Sequence, residues 1–187
     1  MRTATLALLL TAAVLALSPA AEAQHHHGAV RTPSSASPYA GFEKRPIKGL
    51  SDEQVADLKA GRGAGLALPA ELNGYPGPLH VLELGDRLAL TDEQRAHMRH
   101  MIESMRAETI AIGEALLTEE RLLDRLFSGK SATEASIQGA TSRIGELQGR
   151  LRAAHLKYHL TTVDILSPAQ IARYGELRGY GSAHGAR

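Results

Sequence analysis

Residues 90–127 constrain the fold of this chain most, because they contain no proline and repeat apolar side chains at helical spacing. The repeat follows steps of three, four and seven residues, which places one apolar seam along a single helix face. The seam comprises Met98, Ile102, Met105, Thr109, Ile112, Leu116, Leu123 and Leu126. At ~1.5 Å per residue this helix is a rod of about 50 Å. A rod of that length cannot bury a narrow stripe against itself, so it requires a packing partner.

The partner follows directly in the sequence. Ser131 and Glu134 have the spacing of a capping box and open a second predicted helix that reaches about Ile165. Its seam comprises Ile137, Ala140, Ile144, Leu147, Leu151, Ala154 and Tyr158. Two long seams joined by a short loop predict an all-α fold, a long antiparallel helical hairpin with short flanking helices. A lone two-helix layer leaves apolar surface in water, so we also predict a homodimer.

Composition excludes several classes of function. The chain has 21 Lys and Arg against 20 Asp and Glu, a balance that indicates no nucleic-acid partner. It has no cysteine, which rules out disulfides, thiolate zinc sites and cysteine nucleophiles. No histidine–glutamate zinc motif and no glycine-rich nucleophile turn occurs, so we predict neither an enzyme nor an organic cofactor.

Residues 1–23 have the pattern of a signal peptide. Arg2 precedes an apolar run over residues 4–17, and Ala21 and Ala23 provide a small-x-small cleavage pattern. The run is shorter than the roughly 20 apolar residues that span a bilayer. We therefore predict export to the periplasm and no membrane span after cleavage, with an uncleaved membrane anchor as the alternative.

The segment that follows contains three consecutive histidines. Residues 24–49 are predicted to be a disordered His-rich segment and an irregular lead-in to the helical domain over residues 50–180, and residues 181–187 a flexible tail. Cleavage after Ala23 would make His26 the third residue of the mature chain. A free amine, two amides and a third-position histidine can bind Cu(II) or Ni(II) in a square plane. A solvated tail is the alternative.

A Leu-Ser/Thr-x-x-Gln pattern occurs three times, each time at a predicted helix start. The residues are Leu50, Ser51, Gln54, Leu90, Thr91, Gln94, Leu166, Ser167 and Gln170. Placed around a long hairpin behind an export signal, these motifs resemble the Spy/CpxP family of LTxxQ periplasmic proteins and its CnrX- and ZraP-like heavy-metal relatives. The resemblance covers roughly residues 79–180 and does not extend to residues 38–77. It implies a helical cradle formed by a dimer, with ATP-independent chaperone activity or binding of Zn, Ni, Co or Cu.

Two pairs of possible metal ligands have the spacing of one helical turn. His97 and Met101 lie on the first long helix, and His155 and His159 on the second. Folding the hairpin about Gly129 places position 97 opposite about 161 and position 101 opposite about 157, so the two pairs would meet. His100, Glu103 and Met98 lie nearby as further candidates.

These residue types would accept Ni, Cu or Co through imidazole and thioether, and Zn through imidazole and carboxylate. The same spacings occur in the CnrX-like site, but there the histidine pair lies on the earlier helix. Only the ligand types are therefore carried over. The alternative is that the histidines flank the seam without binding metal, while the methionines pack the core.

A client-binding surface is predicted from apolar residues off the main seams, namely Leu117, Leu122, Leu156, Leu160 and Val163. Flanking helices or a second subunit could instead cover them. The combined prediction is an envelope or heavy-metal stress protein that binds divalent metal, unfolded proteins, or both. The alternative is a regulatory or structural module, without metal, that docks on a sensor kinase or another envelope protein.

Overall fold

The computed structural model describes residues 37–180, where all regular structure is helical. A 3₁₀ turn at Phe42–Lys44 precedes six α-helices. They are α1 Asp52–Ala60, α2 Leu68–Glu71, α3 Pro78–Glu83, α4 Asp92–Ser128, α5 Glu134–Ile165 and α6 Pro168–Arg178. The predicted signal peptide, His26 with the rest of the His-rich tract, and the predicted C-terminal tail lie outside the described residues. Within residues 37–180, no helix combines the length and apolarity that crossing a membrane requires.

The predicted all-α hairpin is confirmed, since the two long helices α4 and α5 pack against each other. The capping box of α5 lies two residues later than expected, at Thr133 and Ser136 rather than Ser131 and Glu134. The loop therefore occupies residues 129–133, and the chain folds back about Ser131 instead of Gly129. This difference moves the partners of α5 towards the C-terminal end of α4.

Two ion pairs show which residues of α4 and α5 lie opposite each other in the hairpin. Arg143 Nε lies 2.9 Å from Glu119 Oε2, and Lys157 Nζ lies 2.5 Å from Glu108 Oε2. The hydrogen bond to Glu108 raises the pKa of Lys157, and burial opposes this shift. Folding about Gly129 places Arg143 opposite position 115 and Lys157 opposite Met101, so the observed partners lie about one turn and two turns further along α4, respectively.

Two apolar clusters form the core. One joins the starts of α4 and α6 to α3 and comprises Val81, Leu88, Leu90, Met98, Met101, Leu166 and Tyr174. The other lies between the long helices and comprises Ile112, Leu116, Ile144, Leu151 and Ala154. All residues of the second cluster belong to the two predicted seams, because side chains three and four positions apart share a helix face. In the first cluster only Met98 belongs to a seam.

Two of the three Leu-Ser/Thr-x-x-Gln motifs are bonded to each other. Gln94 and Gln170 each accept from the N-cap amide of their own helix, at 3.1 Å from Thr91 and 3.0 Å from Ser167. Gln94 Nε2 also donates to Gln170 Oε1 at 2.9 Å, and Gln170 Nε2 donates back to Gln94 Oε1 at 3.0 Å. Each amide makes one further bond to a backbone carbonyl, that of Ile165 or Leu88. Among residues 37–180, the Gln54 motif closes its own box and is not joined to the other two.

The segment that the family resemblance leaves unmatched runs antiparallel along α4. Lys48 Nζ lies 3.3 Å from Asp124 Oδ2, and Thr109 Oγ1 donates to the Gly61 carbonyl at 3.3 Å. Between these two contacts Gly113 packs against the backbone of Leu58 in α1. The lead-in before α1 contains the 3₁₀ turn and is anchored by Ile47, which is buried.

Gly113 and Gly149 form a matched pair for testing how closely α1 packs. A Cβ at Gly113 would lie 2.5 Å from the Leu58 carbonyl oxygen, whereas one at Gly149 would meet nothing within 4 Å. We expect Gly149→Ala to stabilise the protein by up to about 1 kcal/mol through helix propensity. Gly113→Ala should destabilise it by about 1–2 kcal/mol, because the overpacking displaces α1. Urea unfolding measures both, and two stabilised variants would contradict the close packing of α1.

Candidate functional site

A cavity of about 290 Å³ lies where the segment between α1 and α3 covers α5. The polar and soft side chains that line it come from five helices and the C-terminal end of the described chain. They are Glu71, His80, Met105, His155, His159, Arg178 and Tyr180. The cavity thus joins the predicted histidine pair to residues from elements that the sequence did not connect to it.

His155 and His159 occupy successive turns of α5 and are buried, with 3% and 7% of their surface exposed. His155 Nδ1 lies 2.9 Å from the Leu151 carbonyl oxygen, and His159 Nδ1 lies 2.6 Å from that of Tyr75. Because a carbonyl oxygen only accepts, each Nδ1 carries the proton and donates. In the neutral form of such a ring the free lone pair is on Nε2, the nitrogen that binds metals in this tautomer.

The backbone of the covering segment lies directly on both rings. A Cβ at Gly63 would be 3.2 Å from His155 Cδ2, and one at Gly77 would be 2.9 Å from His159 Cε1. A larger residue at either position would require the histidine ring or the segment to shift. His155 Nε2 is fully buried and finds no hydrogen-bond partner in the described part of the chain. This nitrogen is therefore an unsatisfied acceptor inside the cavity wall.

Glu71 is a buried carboxylate that holds α2 against the C-terminal helix. Its Oε1 accepts from the hydroxyls of Tyr174 and Tyr180, the latter at 3.3 Å, and lies 3.7 Å from Arg178 Nε. Its Oε2 accepts from the Gly77 amide at 3.2 Å. Burial raises the pKa of Tyr174 well above its ordinary value, and the hydrogen bond and charge of Glu71 add to the effect. The phenol therefore stays protonated as a donor.

The remaining predicted metal ligands lie away from this cavity. His97, His100 and Glu103 are exposed on α4, while Met98 and Met101 are buried in the apolar cluster near the start of that helix. Between residues 37 and 180, no three His, Asp or Glu side chains are grouped so that they could hold a metal ion. The cavity instead has a thioether, that of Met105, beside the two histidines.

The sequence therefore identified the histidine pair by spacing but missed Met105 and Glu71. Met105 was assigned to the core seam by its apolar spacing, and folding about Gly129 placed Met101 rather than Met105 near the histidines. Its position could have been found from a loop centred on Ser131. Glu71 carried no signal, because a lone carboxylate in a short turn-rich segment is ordinarily exposed.

The predicted client surface is divided by the packing. Leu117, expected on the surface, is only 2% exposed because it lies one turn beyond Gly113 on the side of α4 that faces α1. Leu122, Leu156 and Val163 are partly buried, and Leu160 is 58% exposed. A separate groove of about 530 Å³ runs between α1 and α5, with Leu58, Leu66, Leu116 and Leu151 among its lining residues.

No protein-family model, curated protein or solved structure matches this chain.

Proposed function

We propose that the protein binds a transition-metal ion through His155 and His159 in this cavity. The observation that supports it best is the buried, unpartnered Nε2 of His155. A buried acceptor without a donor costs about 1–3 kcal/mol. A bound metal ion would remove that cost.

The second shell around the two rings supports the same proposal. Histidines that ligate metals almost always donate their other N–H to a carbonyl, carboxylate or water, which fixes the tautomer and the ring orientation. Here the carbonyls of Leu151 and Tyr75 serve that role. The pair spans one turn of a single helix, so both lone pairs can converge on one ion.

The biological setting of this proposal comes from the sequence. The predicted export signal and the three Leu-Ser/Thr-x-x-Gln motifs resemble those of the Spy/CpxP family and its heavy-metal relatives. We therefore place the protein in the periplasm, as a non-enzymatic homodimer that serves metal or envelope stress. Zn, Ni, Co and Cu are the ions that imidazole ligands accept most readily.

Isothermal titration of these ions into matched variants tests the proposal. All proteins carry alanine at residues 25–27, so that the His-rich tract does not contribute. We expect about one ion per chain in this parent and in H97A/H100A, whose histidines are exposed. H155A/H159A should bind more than about 100-fold more weakly, because even outer-shell losses cost 10–100-fold. Circular dichroism checks that helicity is retained.

Unchanged affinity in H155A/H159A would overturn the metal site. A second candidate function, weak capture of unfolded envelope proteins, is favoured by the apolar groove and by the exposed Leu160. It makes a different prediction for the same variants, since suppression of client aggregation should not depend on the two histidines. Loss of metal binding with unchanged suppression would show that the two activities are separate.

A further inference from the structure

We infer that the cavity selects Cu(I), with Met105 as the third ligand beside His155 and His159. This inference rests on the proposed metal site and specifies its donor set. The three residues line one cavity, where α4 and α5 face each other under the covering segment. They contribute two imidazole nitrogens and one thioether sulfur.

Glu71, the carboxylate in the cavity wall, is committed to other partners. It accepts from the Tyr174 and Tyr180 hydroxyls and from the Gly77 amide, and Arg178 lies 3.7 Å from it. Recruiting this carboxylate as a ligand would leave several buried donors unpaired, at about 1–3 kcal/mol for each of them. Glu71 is therefore not available as the oxygen ligand that would favour a hard divalent ion.

The charges in the cavity wall point the same way. Arg178 Nε lies 3.7 Å from Glu71 Oε1 and offsets the charge of the carboxylate, whose Oε2 lies 3.9 Å from His159 Nδ1. A divalent ion loses more hydration energy than a monovalent ion on entering a largely buried site.

Met105 is distinguished from the other methionines of α4 by its environment. Met98 and Met101 are buried in the apolar cluster that joins α3, α4 and α6. Met105 is only partly buried and faces the cavity instead. Thioethers bind soft ions and select Cu(I), while imidazole accepts several metals. The combination predicts a preference for Cu(I) over Zn(II).

The test compares Met105→Leu with Met101→Leu in the protein whose residues 25–27 are alanine. Leucine conserves volume and removes only the sulfur. Cu(I) affinity is measured anaerobically against a chromophoric Cu(I) chelator, and Zn(II) affinity against a fluorescent one. We expect Met105→Leu to weaken Cu(I) binding by at least about tenfold and to leave Zn(II) within about threefold. Copper-edge X-ray absorption should show a sulfur neighbour that this variant loses and Met101→Leu keeps.

Retention of the Cu(I) affinity and of the sulfur neighbour in Met105→Leu would overturn the inference. Equal losses of Cu(I) and Zn(II) would also overturn it, because sulfur would then not decide between the ions. Both results leave the histidine site standing. By contrast, if H155A/H159A still binds both ions at full affinity, the proposed metal site itself is wrong. Failure of the Cu(I) inference can therefore be distinguished from failure of the proposed function.

Discussion

Gln94→Ala is expected to destabilise the protein by about 2–3 kcal/mol, which is far more than substitution of an exposed helix residue by alanine usually costs. The side chain accepts from the Thr91 amide, donates to the Ile165 carbonyl and exchanges two bonds with Gln170. The site is partly buried, and each partner left without its bond costs about 1 kcal/mol. Urea unfolding followed by circular dichroism measures the loss.

A double-mutant cycle isolates the bond between the motifs. Gln170→Ala should cost a similar amount, and the double variant should lose about 1–2 kcal/mol less than the sum of the singles, since each single variant already breaks both bonds. Gln54→Ala is the matched control, because it removes a capping box alone and should cost about 0.5–1 kcal/mol. Additive losses at positions 94 and 170 would contradict the reciprocal pairing.

Glu71→Ala is expected to cost about 3–4 kcal/mol and to loosen the C-terminal helix. The substitution leaves the Tyr174 hydroxyl, the Tyr180 hydroxyl and the Gly77 amide without their acceptor in a buried site. It also removes the counter-charge of Arg178. Glu83→Ala is the control, because Glu83 is exposed and pairs with the partly exposed His80; it should change stability by no more than about 0.5 kcal/mol. Equal effects of the two substitutions would show that Glu71 does not hold the helix.

The same carboxylate predicts a pH dependence on the alkaline side. The pKa of Tyr174 is raised by burial and by Glu71, while that of an unfolded tyrosine is about 10. The folded state therefore keeps a proton that the unfolded state releases, and the free energy of unfolding falls as pH rises above about 10. Tyr174→Phe should start from lower stability at pH 7 and show a shallower decline at alkaline pH. An unchanged slope would contradict the raised pKa.

The helices were predictable because their signals are local. Apolar spacing defined the two long rods, and the boxes at Ser51, Thr91 and Ser167 marked three helix starts where the structure has them. The register of α5 against α4 could not be predicted to within one helical turn, because it depends on which of two neighbouring hydroxyls, Ser131 or Thr133, caps α5. With Thr133 as the cap, Met105 rather than Met101 lines the cavity with the two histidines.

The rest of the site depends on contacts between residues far apart in the chain. Glu71 and Tyr174 are separated by 103 positions, and nothing near either residue indicates the other. Leu117 is buried by the packing of α1 along α4, which the pattern of α4 alone does not contain. Pairings of this kind arise from tertiary packing, whereas periodicity reports only which face of an element is apolar.

The linked glutamines also explain which amino acids each motif copy can tolerate. A capping box needs only an acceptor at its fourth position, so glutamate serves there as well as glutamine. At position 54 that substitution would keep every bond of the box. At positions 94 and 170 the side chain must also donate, and a carboxylate has no hydrogen to give. The three motif copies share one pattern but tolerate different substitutions. Position 54 can accept glutamate, whereas positions 94 and 170 require a side chain that also donates, and only these two positions depend on each other.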